Sequence, residues 1–335
     1  MGFNVIVTIG PAVFNEEKLK LIDAIGPNIY RINGSHIENG LEVIKIADEI
    51  RNILPQAQIM VDLPGNKIRT SGVSIPVKFE KGHVFKLPAK EINYREFYLL
   101  LKPKYIIFAN DSQYRLEVLS SNDSFIELLP HCDGILGNNK GLHVQGIHKE
   151  LPFFFEKDKE IIKNAIKAKV DYVAFSFVRD REDVRQAKSM FAGPQQGKTK
   201  FIVKIETLAA VINLEDILTE ADCILIDRGD LACDVGLINV PKYQEIIIST
   251  AKRNKKRIIL ATQFLKNMQY SAVPSIAEEI DLYNTIKKGI DGIQLSEETA
   301  IGKYPAECVQ HVFEVYKSVA REEKTNSFKI KEGKS

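Results

Sequence analysis

The sequence predicts a (β/α)8 barrel of the TIM type, with a small all-β lid domain inserted after the third strand. Three observations predict it. Eight short apolar runs, blunt enough to be strands buried on both faces, recur along the 335 residues. A stretch with helical periodicity follows most of them. The alternation breaks once, between Arg69 and about Gln145, where short β-like runs are punctuated by Gly, Pro, Asn and Asp.

Taken in order, the expected barrel strands are about Asn4 to Thr8, Asn28 to Ile32, Gln58 to Asp62, Tyr172 to Ser176, Phe201 to Glu206, Cys223 to Asp227, Arg257 to Thr262 and Gly292 to Ser296. The expected helices are about Glu16 to Ile25, Glu38 to Ile50, Lys157 to Ala168, Arg181 to Met190, Ala209 to Leu218, Tyr243 to Arg253, Ala277 to Lys288 and Pro305 to Ala320. Within the break, Val77 to Phe79, Val84 to Leu87, Tyr105 to Phe108 and Phe125 to Leu129 read as strands. The barrel then covers residues 1–69 and 146–323, the inserted β domain 70–145, and a charged tail 324–335. The chain is expected to fray beyond Ala320. Loops leaving the C-terminal ends of barrel strands surround the active site of such a fold, so an insertion there is placed to act as a lid.

Composition narrows the class. With 44% hydrophobic and 27% charged residues, no tryptophan and no apolar run near the ~20 residues needed to span a bilayer, disordered, collagenous and transmembrane readings fall away. Lys+Arg 46 against Asp+Glu 44 leaves no overall field to favour nucleic acid or an acidic membrane surface. Any anion site must be local. Cys132, Cys223, Cys233 and Cys308 form no C-x-x-C pair and have no His partner at zinc spacing, so they read as reduced packing thiols. The start of the chain has no signal-peptide pattern, and a cytoplasmic setting is expected.

Polar residues at the C-terminal ends of barrel strands read as chemistry. The fifth strand ends in Lys204-Ile205-Glu206, and period-2 alternation puts ammonium and carboxylate on one face. The sixth ends in Asp227-Arg228-Gly229-Asp230, whose second aspartate can complete a two-carboxylate oxygen site with Glu206 for Mg²⁺, or for Mn²⁺ in its place. A divalent ion beside a lysine makes a phosphate site. The competing reading is an internal salt bridge among Lys204, Glu206 and Asp230, at several kcal/mol of desolvation per ion. Arg31, Asn33, Ser35, Asp62, Ser176, Arg179, Thr262, Gln263 and Ser296 to Thr299 crowd the same rim. A lone Ser or Thr there reads as a helix cap. So many facing one rim do not.

These residues carry a family resemblance. Thr8-Ile9-Gly10-Pro11-Ala12, Arg31 to His36 (RINGSH), Asp62 to Thr70 (DLPGNKIRT), Lys140-Gly141, Lys204-Ile205-Glu206, Arg228-Gly229-Asp230-Leu231, Ala261-Thr262-Gln263 and Ser296 to Ala300 (SEETA) stand in the order and approximate spacing of pyruvate kinases, from Val5 to about Val312. The resemblance implies transfer of a phosphoryl group from phosphoenolpyruvate to ADP, with later protonation of the enolpyruvate. It implies Glu206 and Asp230 as Mg²⁺ ligands and Lys204 as the ammonium that stabilises the phosphoryl in flight and the enolate left behind. Thr262 resembles the hydroxyl that holds the substrate carboxylate beside the backbone N–H groups of Arg228, Gly229 and Asp230. Ser296 with Thr262 resembles the relay that protonates the enol. Arg31, Asn33, Arg69 and Lys140 resemble the phosphate-contacting set.

Departures from the family are informative. The chain stops where the family continues into a C-terminal domain, so the resemblance implies that the sugar-phosphate effector site and one subunit interface are absent; association through the barrel faces stays open. Asp227 stands where the family has a small apolar residue, adding negative charge near the place a substrate carboxylate would dock. Ala232 and Glu297 replace glycines, and His143-Val144-Gln145-Gly146 replaces Asn-Leu-Pro-Gly. Lys67 replaces a glutamate close to the K⁺ site that the resemblance assigns to oxygens of Asn33, Ser35, Asp62 and the carbonyl of Leu63, and Leu63 itself replaces a threonine. An ammonium is a compact charge that can stand in for K⁺, so activity is expected to need Mg²⁺ but no K⁺. Two other readings stay open: another enzyme of the pyruvate-binding barrels, either a kinase of a different enol phosphate or a Mg²⁺-dependent aldolase or lyase, and a noncatalytic metabolite-binding relative.

Overall fold

The computed structural model describes residues 2–26, 28–110, 113–192 and 197–332, with residues 323–332 as backbone only. In chain order the strands are β1 Asn4–Thr8, β2 Asn28–Asn33 and β3 Gln58–Asp62; then β4 Val77–Phe79, β5 Phe85–Pro88, β6 Ile106–Ala109, β7 Tyr114–Ser121, β8 Phe125–Pro130, β9 Gly134–Leu136 and β10 Leu142–His143. The last five are β11 Tyr172–Phe175, β12 Lys200–Ile205, β13 Cys223–Asp227, β14 Arg257–Ala261 and β15 Gly292–Leu295.

The barrel closes in the order β1-β15-β14-β13-β12-β11-β3-β2. Its parallel registers, such as Lys204 opposite Leu225 and Asp227 opposite Ala261, bring the polar strand ends to one level. The interior is filled by alternate residues, Ile6, Ile29, Met60, Ala174, Ile202, Leu225 and Ile259 among them, while Val7, Ile32, Val61, Val203 and Ile226 point outward into the helix layer. Two-sided burial is why these strands read as unbroken apolar runs.

Between β3 and β11 lies the insertion. Its strands form an antiparallel sheet in the order β10-β6-β7-β8-β5 and a separate pair, β4 with β9. It has its own core, including Phe79, Leu87, Phe97, Ile107, Leu116, Ile126 and Leu128. The runs named from sequence omit β7, β9 and β10. In β7 Arg115 and Glu117 interrupt the apolar pattern, and only Leu116 and Val118 are buried. The expected all-β character also has an exception, the short helix Phe97–Leu100. The two chain crossings pair with each other: Leu142 N donates to Ile68 O at 2.8 Å and Thr70 N to Lys140 O at 2.9 Å.

Three helical features differ from the sequence expectation. A helix, Arg228–Val235, starts directly from β13. The stretch expected as one helix is two, Leu208–Ile212 and Leu214–Glu220, broken at Asn213, whose amide donates to Arg179 O at 2.9 Å. The last helix, Pro305–Glu332, continues where a frayed tail was expected, because the segment has neither Gly nor Pro before Gly333. The remainder of the tail, 333–335, lies outside the described residues. No helix among the described residues is long and apolar enough to cross a membrane.

Candidate active site

The site follows from the strand period. In β12 Ile202 points into the barrel, so Lys204 and Glu206, two and four residues on, point the same way at the rim. The same step leads from Leu225 to Asp227, Met60 to Asp62, Ile29 to Arg31, Ile6 to Thr8 and Ala174 to Ser176. The polar ends thus converge on a cavity of about 670 Å³, lined by Arg31, Asp62, Lys204, Asp227, Asp230 and Thr262 together with residues of the insertion.

Lys204 is the hub. Its Nζ lies 2.7 Å from Glu206 Oε1, 3.4 Å from Asp62 Oδ1 and 3.5 Å from Asp227 Oδ2, and it donates to Ser176 Oγ at 3.1 Å. Burial pulls its ammonium down, but Asp62, Glu206 and Asp227 together hold it above the ordinary lysine range. Asp62 in turn takes Arg31 Nε at 2.8 Å and Nη2 at 2.7 Å, while Arg31 Nη1 donates to Thr8 Oγ1 at 2.9 Å. Against the cost of burial, Lys204 and Arg31 keep Asp62 low. Of the competing internal salt bridge, the Lys204–Glu206 arm is present; Asp230 pairs instead with Lys67, Nζ to Oδ1, at 2.5 Å.

Three carboxylates, Glu206, Asp227 and Asp230, offer oxygens within 4.8 Å of one another. Glu206 Oε2 accepts Phe177 N–H at 2.7 Å, but the fully buried Oε1 has no hydrogen bond of good geometry despite the nearby ammonium. Burial, with Asp230 and Asp227 adding to it and Lys204 opposing, pushes Glu206 up to about 8. Asp227 is raised for similar reasons, whereas Lys67 and Lys204 hold Asp230 well below the carboxylate range against its burial. A cluster of hard oxygen donors with one orphaned atom fits Mg²⁺ or Mn²⁺.

Thr262 and Gln263 adopt left-handed backbone, φ 72° and 57°, a strained choice for a β-branched residue. Arg228 holds that turn: Nη2 and Nε donate to Thr262 O at 2.7 and 3.2 Å, the guanidinium pairs with Asp281 at 2.6 Å, and it stacks 3.9 Å over Phe264. The groups of this turn that line the cavity are therefore Gly229 and Asp230, with Gly229 N–H donating to Thr262 Oγ1 at 3.0 Å and Thr262 Oγ1 facing Asp227 Oδ1 at 3.3 Å. Ser296 lines the same cavity, its N–H held by Glu298 Oε2 at 2.8 Å.

On the other wall, Arg69 Nη2 donates to Ser35 Oγ at 3.1 Å, and Asn33 Oδ1 accepts Ser35 N–H at 3.1 Å. Leu63 O accepts Ser176 Oγ at 2.7 Å. Lys140 lines the cavity, and its N–H is pinned to Thr70 Oγ1 at 2.8 Å. Sequence reasoning singled out Asp227 as a departure but did not count it as a third cation ligand; its place at the inward end of β13, three residues before Asp230, was the signal. The pairing of His143 with Asp234, 3.3 Å apart, left no signal in the sequence.

Comparison with known proteins gives the family of the chain. Residues 2–309 match the family described as pyruvate kinase, barrel domain. A pyruvate kinase of Thermotoga maritima is 32% identical over 331 residues, which cover 95% of this chain and 71% of that protein. One of Aeropyrum pernix is 30% identical over 329 residues, covering 94% and 71%. One of Chlamydia muridarum is 33% identical over 322 residues, covering 91% of this chain and 66% of its own length.

Proposed function

The chain belongs to the pyruvate kinase family, and from that premise we propose that it transfers the phosphoryl group of phosphoenolpyruvate to ADP in a Mg²⁺-dependent, K⁺-independent reaction. The observation that carries this reading is the buried ammonium of Lys204 beside Glu206, Asp227 and Asp230 at the barrel mouth. Glu206 and Asp230 would hold the Mg²⁺, which supplies charge neutralisation at the transferring phosphoryl group.

The chain's own residues account for the rest. Lys204 remains an ammonium throughout, so it contributes charge rather than a proton. As the bond from phosphorus to the enol oxygen breaks and one to a terminal phosphate oxygen of ADP forms, that charge faces the oxygen that becomes an enolate. Arg31, Asn33, Arg69 and Lys140 orient the phosphates. Gly229 N–H, which donates to Thr262 Oγ1 in this structure, would turn with that hydroxyl to receive the substrate carboxylate, and Thr262 with Ser296 lies on the side from which the enol carbon takes its proton. Independence from K⁺ is supported by oxygens that already have internal partners: Asn33 Oδ1 binds Ser35 N–H, Leu63 O binds Ser176 Oγ, and Asp62 binds Arg31. The reduced, buried state of Cys223, Cys233 and Cys308 suits a cytoplasmic setting.

A second reading draws on Asp227. A third carboxylate facing Thr262 crowds the carboxylate subsite with like charge, which favours another enol phosphate, or carbon–carbon chemistry on an enolate. One coupled assay separates them: pyruvate release from phosphoenolpyruvate, ADP and Mg²⁺, abolished in Glu206→Ala and Asp230→Ala. No release from the wild type, with the cation still bound, would transfer the assignment to the second reading.

A further inference from the structure

Beneath the mouth, a buried polar chain ties both crossings of the insertion to the barrel. It runs from Asn66, just after β3, to His148 in the turn Ile147–Glu150, to His143 in β10, to Asp234 on the helix Arg228–Val235. All four are at least nine-tenths buried. None belongs to the catalytic machinery proposed above.

The hydrogens in this chain can be counted from one end. Asn66 Nδ2 donates to Pro152 O at 3.2 Å, which fixes the amide and turns Oδ1 toward His148. At 2.9 Å from that oxygen, His148 Nδ1 must carry a proton. Burial, and after it His143, push His148 down to about 3, so its ring is neutral and Nε2 is an acceptor. His143 Nδ1, 3.3 Å away, must therefore be the donor. Its remaining nitrogen, Nε2, is buried without a hydrogen bond of good geometry and lies at ion-pair distance, 3.3 Å, from Asp234 Oδ1. A bare lone pair there would face a carboxylate in the protein interior; a second ring proton turns the same contact into a buried ion pair.

Asp234 is built to be that partner. Gly146 N donates to Oδ1 at 2.9 Å and Leu208 N to Oδ2 at 2.6 Å, and it is held down to about 2 by His143 and these two amides against its burial. The other charged groups facing the imidazole pair are Asp230, one helical turn from Asp234, and Lys67 on the outgoing crossing. His148 is also fixed by stacking on Phe177 at 4.3 Å and by Arg179 Nη1, which donates to its carbonyl at 2.9 Å.

We infer that His143 is the positioning residue that fixes the inserted domain over the barrel mouth, and that it does so as an imidazolium bridging His148 and Asp234. Lys140 lies three residues before it and Lys67 one residue after Asn66, so both lysines take their places from this brace. Loss of the second proton leaves Asp234 facing a lone pair and releases the returning crossing.

The test uses the full-length chain with ¹⁵N-labelled histidine. Near neutral pH the His143 ring is expected to show both nitrogens protonated and His148 only Nδ1; a neutral His143 with a single protonated nitrogen overturns the inference. If His143→Gln fails to fold, that spectrum decides alone. A kinetic arm rests on the phosphotransfer reading. His143→Gln is expected to raise KM for ADP roughly three- to thirtyfold, with kcat within about twofold. An unchanged KM would overturn the positioning role. A wild type with no turnover would sink the phosphotransfer reading and leave the spectrum to judge the brace.

Discussion

Lys67 Nζ sits 2.5 Å from Asp230 Oδ1, so an ammonium on the crossing into the inserted domain is the counter-ion of a carboxylate in the candidate cation cluster. One turn further along the helix Arg228–Val235, Asp234 is gripped by His143 from the other crossing. Both arms of the insertion are thus anchored to one helix, and one anchor lies where a divalent cation would bind.

A cation entering that cluster competes with Lys67. Lys67→Met is expected to tighten Mn²⁺ binding about tenfold, ~1.4 kcal/mol. This is well under the ~4 kcal/mol that two unit charges exchange at 4 Å and an effective dielectric of 20, because Lys204 continues to compensate the cluster. Electron paramagnetic resonance titration of free Mn²⁺ measures it. Weaker binding in the variant would show that the ammonium supports the site instead of competing for it.

The same lysine bears on monovalent cations. With Mg²⁺ present and tetramethylammonium as the only monovalent ion, the wild type is expected to be as active as in KCl, and Lys67→Glu to acquire a K⁺ requirement. Strong activation of the wild type by KCl would rule out substitution of the ion by Lys67.

Lys204→Met removes an ammonium held within 3.5 Å of three carboxylates. Turnover is expected to fall ~10²-fold or more with Mn²⁺ binding retained. Near wild-type pyruvate formation would end the assignment of charge stabilisation to this residue.

Lys140 is pinned by its backbone to Thr70 at the edge of the cavity it lines. Lys140→Ala is expected to raise KM for ADP and lower kcat, as befits a contact to a phosphate in flight. Steady-state kinetics leaving both unchanged would identify it as a turn lysine with no part in the reaction.

Asp158 accepts Phe155 N–H and Gly65 N–H at 2.9 Å, yet burial lifts its carboxyl from an ordinary 3.8 to about 6. The folded state then binds a proton that the unfolded chain has lost. Its contribution is most favourable below about pH 4 and declines as pH rises to about 6, by up to ~3 kcal/mol. Asp234 acts in the opposite sense at lower pH, its stabilisation being lost as pH falls from 3.8 through about 2. Denaturant melts of the wild type and Asp158→Asn between pH 4 and 6 should show the variant, weaker overall because an amide must face two donors, with a shallower pH slope. Equal slopes would mean that Asp158 is ionised throughout.

The barrel was legible because its strands are short, apolar and buried on both faces, and because Lys204, Glu206, Asp227 and Asp62 stand at inward positions set by a period of two. Local rules reach that far. They do not reach pairings between residues distant in the chain: Lys67 with Asp230 is separated by 163 positions, and the bond of Arg31 to Asp62 depends on the register of β2 against β3. Strand β7 escaped notice because an antiparallel strand inside a small domain buries only alternate residues and leaves charges on its other face. Lys67 reads in the sequence as one charge near a cation site, and whether it meets K⁺ oxygens or a metal-site carboxylate depends on how the insertion folds back over the mouth. His143, Asp234, His148 and Asn66 carry no recognisable spacing at all. Their proton count exists only once three separate segments close around them, since a buried hydrogen bond is specified by where donors and acceptors end up in space and not by their order along the chain.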